Sequence, residues 1–108
     1  MASLSVKNII KEYIKTIKPF IKLEKVILFG SYAKKKAHRD SDIDLIIISP
    51  DFKKMKFMER LLWLSRMRGE RFMSPGMDIL GYTGEEFKKL SKESIVLKEA
   101  AEEGRIIK

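Results

Sequence analysis

The chain has no cysteine, no glutamine, one asparagine, one histidine and three prolines in 108 residues. Without cysteine, no disulfide can staple the fold and no thiolate can hold a metal. His38 alone cannot build an imidazole cluster, so any metal must be held by oxygen ligands. Long apolar runs are missing too. The stretch MASLSVKNIIKEYI is interrupted by lysines before a signal-peptide core can form, and nothing approaches the roughly 18 apolar residues of a membrane span. A cytoplasmic protein with no membrane partner is the expectation.

What is present is positive charge: 23 Lys+Arg against 15 Asp+Glu, a net +8, which favours polyanionic partners such as nucleotide phosphates, nucleic acid or an acidic protein surface. With 44% hydrophobic residues, the length suits one compact domain over residues 1–108. A chain of this size buries one core and leaves little for appended machinery. Elaborate substrate recognition would have to come from another chain.

From Ser5 to about Lys22, Ile9, Ile10, Tyr13, Ile14, Ile17, Phe20 and Ile21 recur at helical spacing, with lysines facing away and Ser5 as the cap. The lysine stripe reads first as a solvated face. KVILFGS (25–31) and DIDLIIIS (42–49) read as strands, the second apolar on both faces beyond Asp44. SPDFKKM reads as a loop, followed by a helix from about Lys56 to Arg68. Phe57, Met58, Leu61, Leu62 and Leu64 are assigned to its core face, with Trp63 and Met67 on a flank.

Met77–Tyr82 is a third strand. Thr83 and Glu86 form a capping box, a last helix runs from Ser94 to a left-handed stop at Gly104, and RIIK adds a terminal strand. Too few residues separate the first two strands for a full crossover helix, so they are expected to pair antiparallel or to be joined by a partial turn of helix. The result is an α+β fold, a small mixed sheet with helices packed against it.

The chemistry is concentrated in FGSYAKKKAHRDSDIDLIII, residues 29–48. Alternate strand residues share a face, so Asp42 and Asp44 project together from Cα atoms roughly 7 Å apart. Two carboxylates that close repel unless a cation sits between them, and hard divalent ions such as Mg²⁺ accept carboxylate oxygens while keeping positions for phosphate. Gly30-Ser31 offers backbone N–H groups and a hydroxyl to phosphate, and Lys34, Lys35, Lys36, His38 and Arg39 crowd the loop between. Asp78, in an otherwise apolar strand, is the candidate third acid. Singly, each feature has a plain reading as a turn, an exposed acid pair, a solvated loop or a strand-edge acid. The combination at this spacing is far less common than its parts.

The stretch GSYAKKKAHRDSDIDLIII resembles the signature of nucleotidyltransferases of the DNA polymerase β superfamily, and the short chain resembles the minimal nucleotidyltransferases that act as antitoxins in toxin–antitoxin pairs. MDILGYTGEEF through EEGRIIK is similar to that family's closing segment. The resemblance implies a palm-like nucleotidyltransferase fold in which Asp42, Asp44 and Asp78 are catalytic and hold two Mg²⁺ ions, with Mn²⁺ as an alternative. Gly30, Ser31 and Lys34 would bind the nucleoside triphosphate. It further implies transfer of AMP from ATP, with release of pyrophosphate, to an acceptor hydroxyl such as a tyrosine of a helical HEPN-type toxin. Family members commonly carry Arg-Gly where this chain has Lys34-Lys35, which retains charge but loses a glycine's freedom. The rival reading is a catalytically weak nucleotide-binding antitoxin that neutralises its partner by binding alone. Nucleic-acid binding rests on charge only and ranks below both, and self-association into a homo-oligomer stays open.

Overall fold

The computed structural model describes residues 6–33, 41–69 and 76–107. Their order is α1 (Val6–Ile17), β1 (Lys25–Phe29), β2 (Ile43–Ile48), a 3₁₀ turn (Pro50–Lys54), α2 (Phe57–Arg68), β3 (Met77–Tyr82), α3 (Gly84–Leu90), α4 (Ile95–Glu103) and β4 (Arg105–Ile106). This is the expected succession, and the fold is the α+β arrangement anticipated from it. Ser5, the proposed cap of α1, lies outside the described residues. The helix ends at Ile17 instead of Lys22 because Pro19 disfavours helical backbone at Lys18.

The strands form one sheet in the order β3-β2-β1-β4. β1 pairs antiparallel with both β2 and β4, whereas β2 and β3 run parallel. Strand alternation sorts the apolar residues into two cores. Val26, Leu28, Ile43, Leu45, Ile47 and Ile79 pack with Ile10, Tyr13 and Ile17 of α1, Leu64 of α2 and Phe52 of the turn. On the other face, Ile27, Ile46, Ile48 and Tyr82 pack with Leu97 and Ala100 of α4. β2 is therefore covered on both sides, as its continuous apolar run requires. The Tyr13 hydroxyl donates to the Leu64 carbonyl at 2.7 Å and ties α1 to α2.

Three local expectations are corrected. SPDFKKM is a 3₁₀ turn, because the Ser49 hydroxyl accepts from the Asp51 amide (3.1 Å) and Phe52 is driven into the core. The core face of α2 is rotated from the expected one: Met58 and Leu62 are 64% and 54% exposed and Phe57 39%, whereas Arg60 and Leu64 are buried. Trp63 and Met67 pack against the core, and Phe20 meets Trp63 edge-on with ring centroids 6.5 Å apart.

The rotation is possible because each guanidinium nitrogen of buried Arg60 has a partner. Its guanidinium donates to the carbonyls of Met55 (3.0 Å) and Gly81 (3.2 Å) and grips both Glu86 oxygens at 2.6 and 3.0 Å. Glu86 is also the expected partner of the Thr83 cap, so one carboxylate serves both the capping box and the clamp.

Gly104 is not a left-handed stop: its φ and ψ are −67° and 154°. Glycine is needed there for space, since a Cβ would strike the Ala100 carbonyl and lie 2.6 Å from Ile27 Cγ2. Among the described residues, no helix is long and apolar enough to cross a membrane.

Candidate active site

Asp44 pairs with Phe29 on one side and with Asp78 on the other, because β1 and β3 both flank β2. Parity places Asp44 with Ile46 and Ile48, and Asp78 with Leu80 and Tyr82, on the sheet face that α4 covers. That helix covers only part of the face, and the aspartates stand where β2 and β3 begin. Asp78 is exposed and Asp44 half-buried.

The Asp44 and Asp78 carboxyls are close enough to share a hydrogen bond. Burial first, then the charges of Asp78 and Asp42, then that hydrogen bond push the Asp44 carboxyl up to about 6. Asp42, one residue before β2, is exposed and lies against Gly76, where a Cβ would come within 2.5 Å of its Oδ1. The Ile43 amide donates to the Gly76 carbonyl at 2.8 Å, which extends the parallel ladder to this point.

Gly30 has φ of 72°, a left-handed conformation that disfavours any side chain, and a Cβ there would collide with the Asp44 carboxylate. The glycine thus serves two ends: it turns the chain out of β1 and lets Asp44 sit against the backbone that leads to Ser31. Beside Phe29, Gly30 and Ser31 lies a hollow of about 380 Å³, closed on its far side by α4 through Val96, Ala100, Glu99 and Glu103.

The structure therefore places Asp44 beside Asp78 and against Gly30, which leads to Ser31, while Asp42 sits against Gly76 and reaches Asp44 through its charge. Lys34 lies outside the described residues. Local reading of the sequence missed four neighbours of the site. Gly76 looked like part of a turn, although its contact with Asp42 explains why that residue is glycine. Arg68 looked like a helix-end cation; its charge is felt by Asp42 and Tyr13, and burial pulls its guanidinium below the ordinary range. Glu99 and Glu103, one helical turn apart on α4, looked like a solvated face.

All candidate metal donors here are carboxylate oxygens, the set that suits a hard divalent ion. Among the described residues no three acids converge into a ready-made cation cage. The environment of Asp44 nevertheless matches such an ion: a carboxyl pushed up to about 6 by burial and then by two like charges gains stability from any cation placed between them. Phosphate oxygens could complete such a site from the side of Gly30 and Ser31.

Comparison with known proteins adds four likenesses. A profile described as a nucleotidyltransferase domain matches residues 7–103. A candidate protein adenylyltransferase of Methanocaldococcus jannaschii is 34% identical over 61 residues, which cover 55% of this chain and 62% of that relative, so the match spans less than two thirds of its length. Among solved structures, a candidate nucleotidyltransferase of Sulfolobus solfataricus superposes with a TM-score of 0.61 at 25% identity, over 77% of this chain and 71% of the other. A toxin–antitoxin structure with AMP-PNP superposes with a TM-score of 0.58 at 23% identity, over 95% of this chain and 73% of the other.

Proposed function

Because this chain belongs to the nucleotidyltransferase domain family, we propose that it transfers a nucleoside monophosphate, AMP from ATP, to a hydroxyl of a protein partner and releases pyrophosphate. One observation carries the reading: Asp44 is placed by strand register against Asp78 and by close approach against Gly30, so an acid pair and a phosphate-accessible turn form one continuous surface.

In the proposed reaction, Ser31 and the backbone at Gly30 bind the β- and γ-phosphates and orient the α-phosphorus toward Asp44 and Asp78. Asp42 and Asp44 bind Mg²⁺ from one side, and Asp78 does so from the neighbouring strand. When bound, Mg²⁺ supplies neutralisation of the charge that develops on the phosphoryl and leaving oxygens. Asp78, the most exposed of the paired acids, accepts the proton of the acceptor hydroxyl. The acceptor oxygen then bonds to the α-phosphorus as the bridge to the β-phosphate breaks, and pyrophosphate carries away the electron pair. Catalysis rests on positioning and charge.

The proposed acceptor is a tyrosine of a helical HEPN-type toxin. The candidate protein adenylyltransferase among the relatives supports a protein acceptor, and the toxin–antitoxin structure with AMP-PNP is the ground for proposing ATP and a toxin partner. The test incubates the protein with ATP labelled at the α-phosphate, Mg²⁺ and the product of the adjacent gene. Label on the partner that vanishes in Asp42→Ala and Asp44→Ala supports transfer. If both variants stay unlabelled yet still suppress the partner's toxicity, binding alone suffices; labelling that persists in both sinks the reading.

A further inference from the structure

A second surface lies on the α1 side of the sheet, away from the carboxylates. A groove of about 800 Å³ runs along α1 toward the edge strand β4. Lys7, Lys11, Lys15, Lys18 and Arg105 line it, and no carboxylate does among the described residues. Its floor and rim are aliphatic: Ile14 is half-buried, while Ile107, on the same face of the edge strand as Arg105, is 37% exposed. A helix that faces its own core needs lysines on the outside, but it does not need those lysines to border an open aliphatic trough. We propose that this groove docks an acidic amphipathic helix of a partner protein.

Three features select that occupant. Charge complementarity calls for a negative ligand, and five cations without a compensating acid set its sign. The aliphatic floor calls for an apolar stripe, which a nucleic-acid backbone lacks, and among the described residues Tyr32 is the one aromatic side chain lining the groove, too few to stack successive bases. Lys7, Lys11 and Lys15 recur at four-residue intervals over about 12 Å of helix, the spacing at which glutamates recur on a partner helix of two to three turns. An added strand is a poorer fit, because β4 contributes only Arg105 and Ile106 to the sheet edge.

The proposal does not rest on nucleotidyl transfer. Leu28 in the groove alternates onto the face opposite Phe29, the strand partner of Asp44, so the two surfaces can be tested apart.

The probe is a fluorescein-labelled helical peptide of about three turns, with leucines at i, i+3 and i+7 and glutamates between them, titrated with the whole protein and read by anisotropy. Its controls are a scrambled peptide of the same composition, which keeps the charge but breaks the stripe, and an RNA duplex of about 15 base pairs. Saturable binding at least about tenfold tighter than the scrambled peptide is expected. The double variant Lys11→Glu/Lys15→Glu and, separately, Ile107→Glu should each weaken it about tenfold or more while leaving the circular-dichroism spectrum and the binding of ATP unchanged. Equal binding of the two peptides, no binding at millimolar peptide, insensitivity to either variant, or tighter Lys11- and Lys15-dependent binding of the RNA overturns the proposal.

Discussion

Asp44 and Asp78 stand opposite one another in the parallel β2–β3 ladder, close enough for one carboxyl to donate a proton to the other. Two acids so placed have two ways to relieve their repulsion, by sharing a proton or by sharing a cation. Protons and divalent ions therefore compete for the same oxygens.

With Asp44 held up at about 6, affinity for Mn²⁺ or Mg²⁺ in the presence of ATP should be level at pH 7.5 and fall as pH drops through 6. At pH 5 one proton must be displaced, which weakens binding about tenfold. Calorimetric titration at the two pH values measures this directly. Unchanged affinity would mean that Asp44 is not a ligand.

The same crowding bears on folding. A carboxyl whose folded pKa lies above its unfolded one makes its stabilising contribution at low pH, and loses it as pH rises from about 4 through 6. Asp44→Asn should therefore raise the Tm by a few degrees at pH 7.5 in EDTA, change it little at pH 4, and abolish labelling of the partner. A variant that is more stable yet inactive marks a site strained for function. Thermal melts at both pH values with EDTA provide the check.

Gly30→Ala places a Cβ in left-handed backbone and into the Asp44 carboxylate. It should cost about 1–2 kcal/mol of stability and reduce transfer by more than that loss explains, because Asp44 must move away. Denaturant midpoints compared with labelling rates separate the two effects.

Glu86→Ala removes the counter-charge of Arg60, which is only 5% exposed, and the carboxylate that accepts from the Thr83 amide, half of the capping box of α3. A loss of about 2–4 kcal/mol is expected. The Arg60 hydrogen bond is the chief reason that the Glu86 carboxyl lies below its ordinary range, so its contribution is present at neutral pH and lost as pH falls through that lowered value. The gap between variant and parent should close toward pH 3. In the parent, Arg60→Lys should also be destabilising, since an ammonium cannot span the carbonyls of Met55 and Gly81 and both Glu86 oxygens.

These predictions divide along the line between what local sequence discloses and what it hides. The strands around Asp44 and Asp78 were legible because a continuous apolar run bounded by turns has few other readings, and the Thr83–Glu86 cap because its partners are three residues apart. The rotation of α2 was not. Arg60 can be buried only because Glu86, 26 residues later, returns to meet it, and no periodicity within the helix reveals that. Phe52 likewise looked like a loop residue until the Ser49 hydroxyl closed its turn. At the site, the acids could be named from their spacing, whereas the seats of Asp44 against Gly30 and of Asp42 against Gly76 depend on strand register.

The most direct test is a crystal grown with Mn²⁺ and a non-hydrolysable ATP analogue, read by anomalous diffraction. The account predicts manganese peaks within coordination distance of Asp42, Asp44 and Asp78, with the triphosphate against Gly30 and Ser31. Manganese bound elsewhere, or a nucleotide seated away from Ser31 with Asp78 unligated, would contradict it.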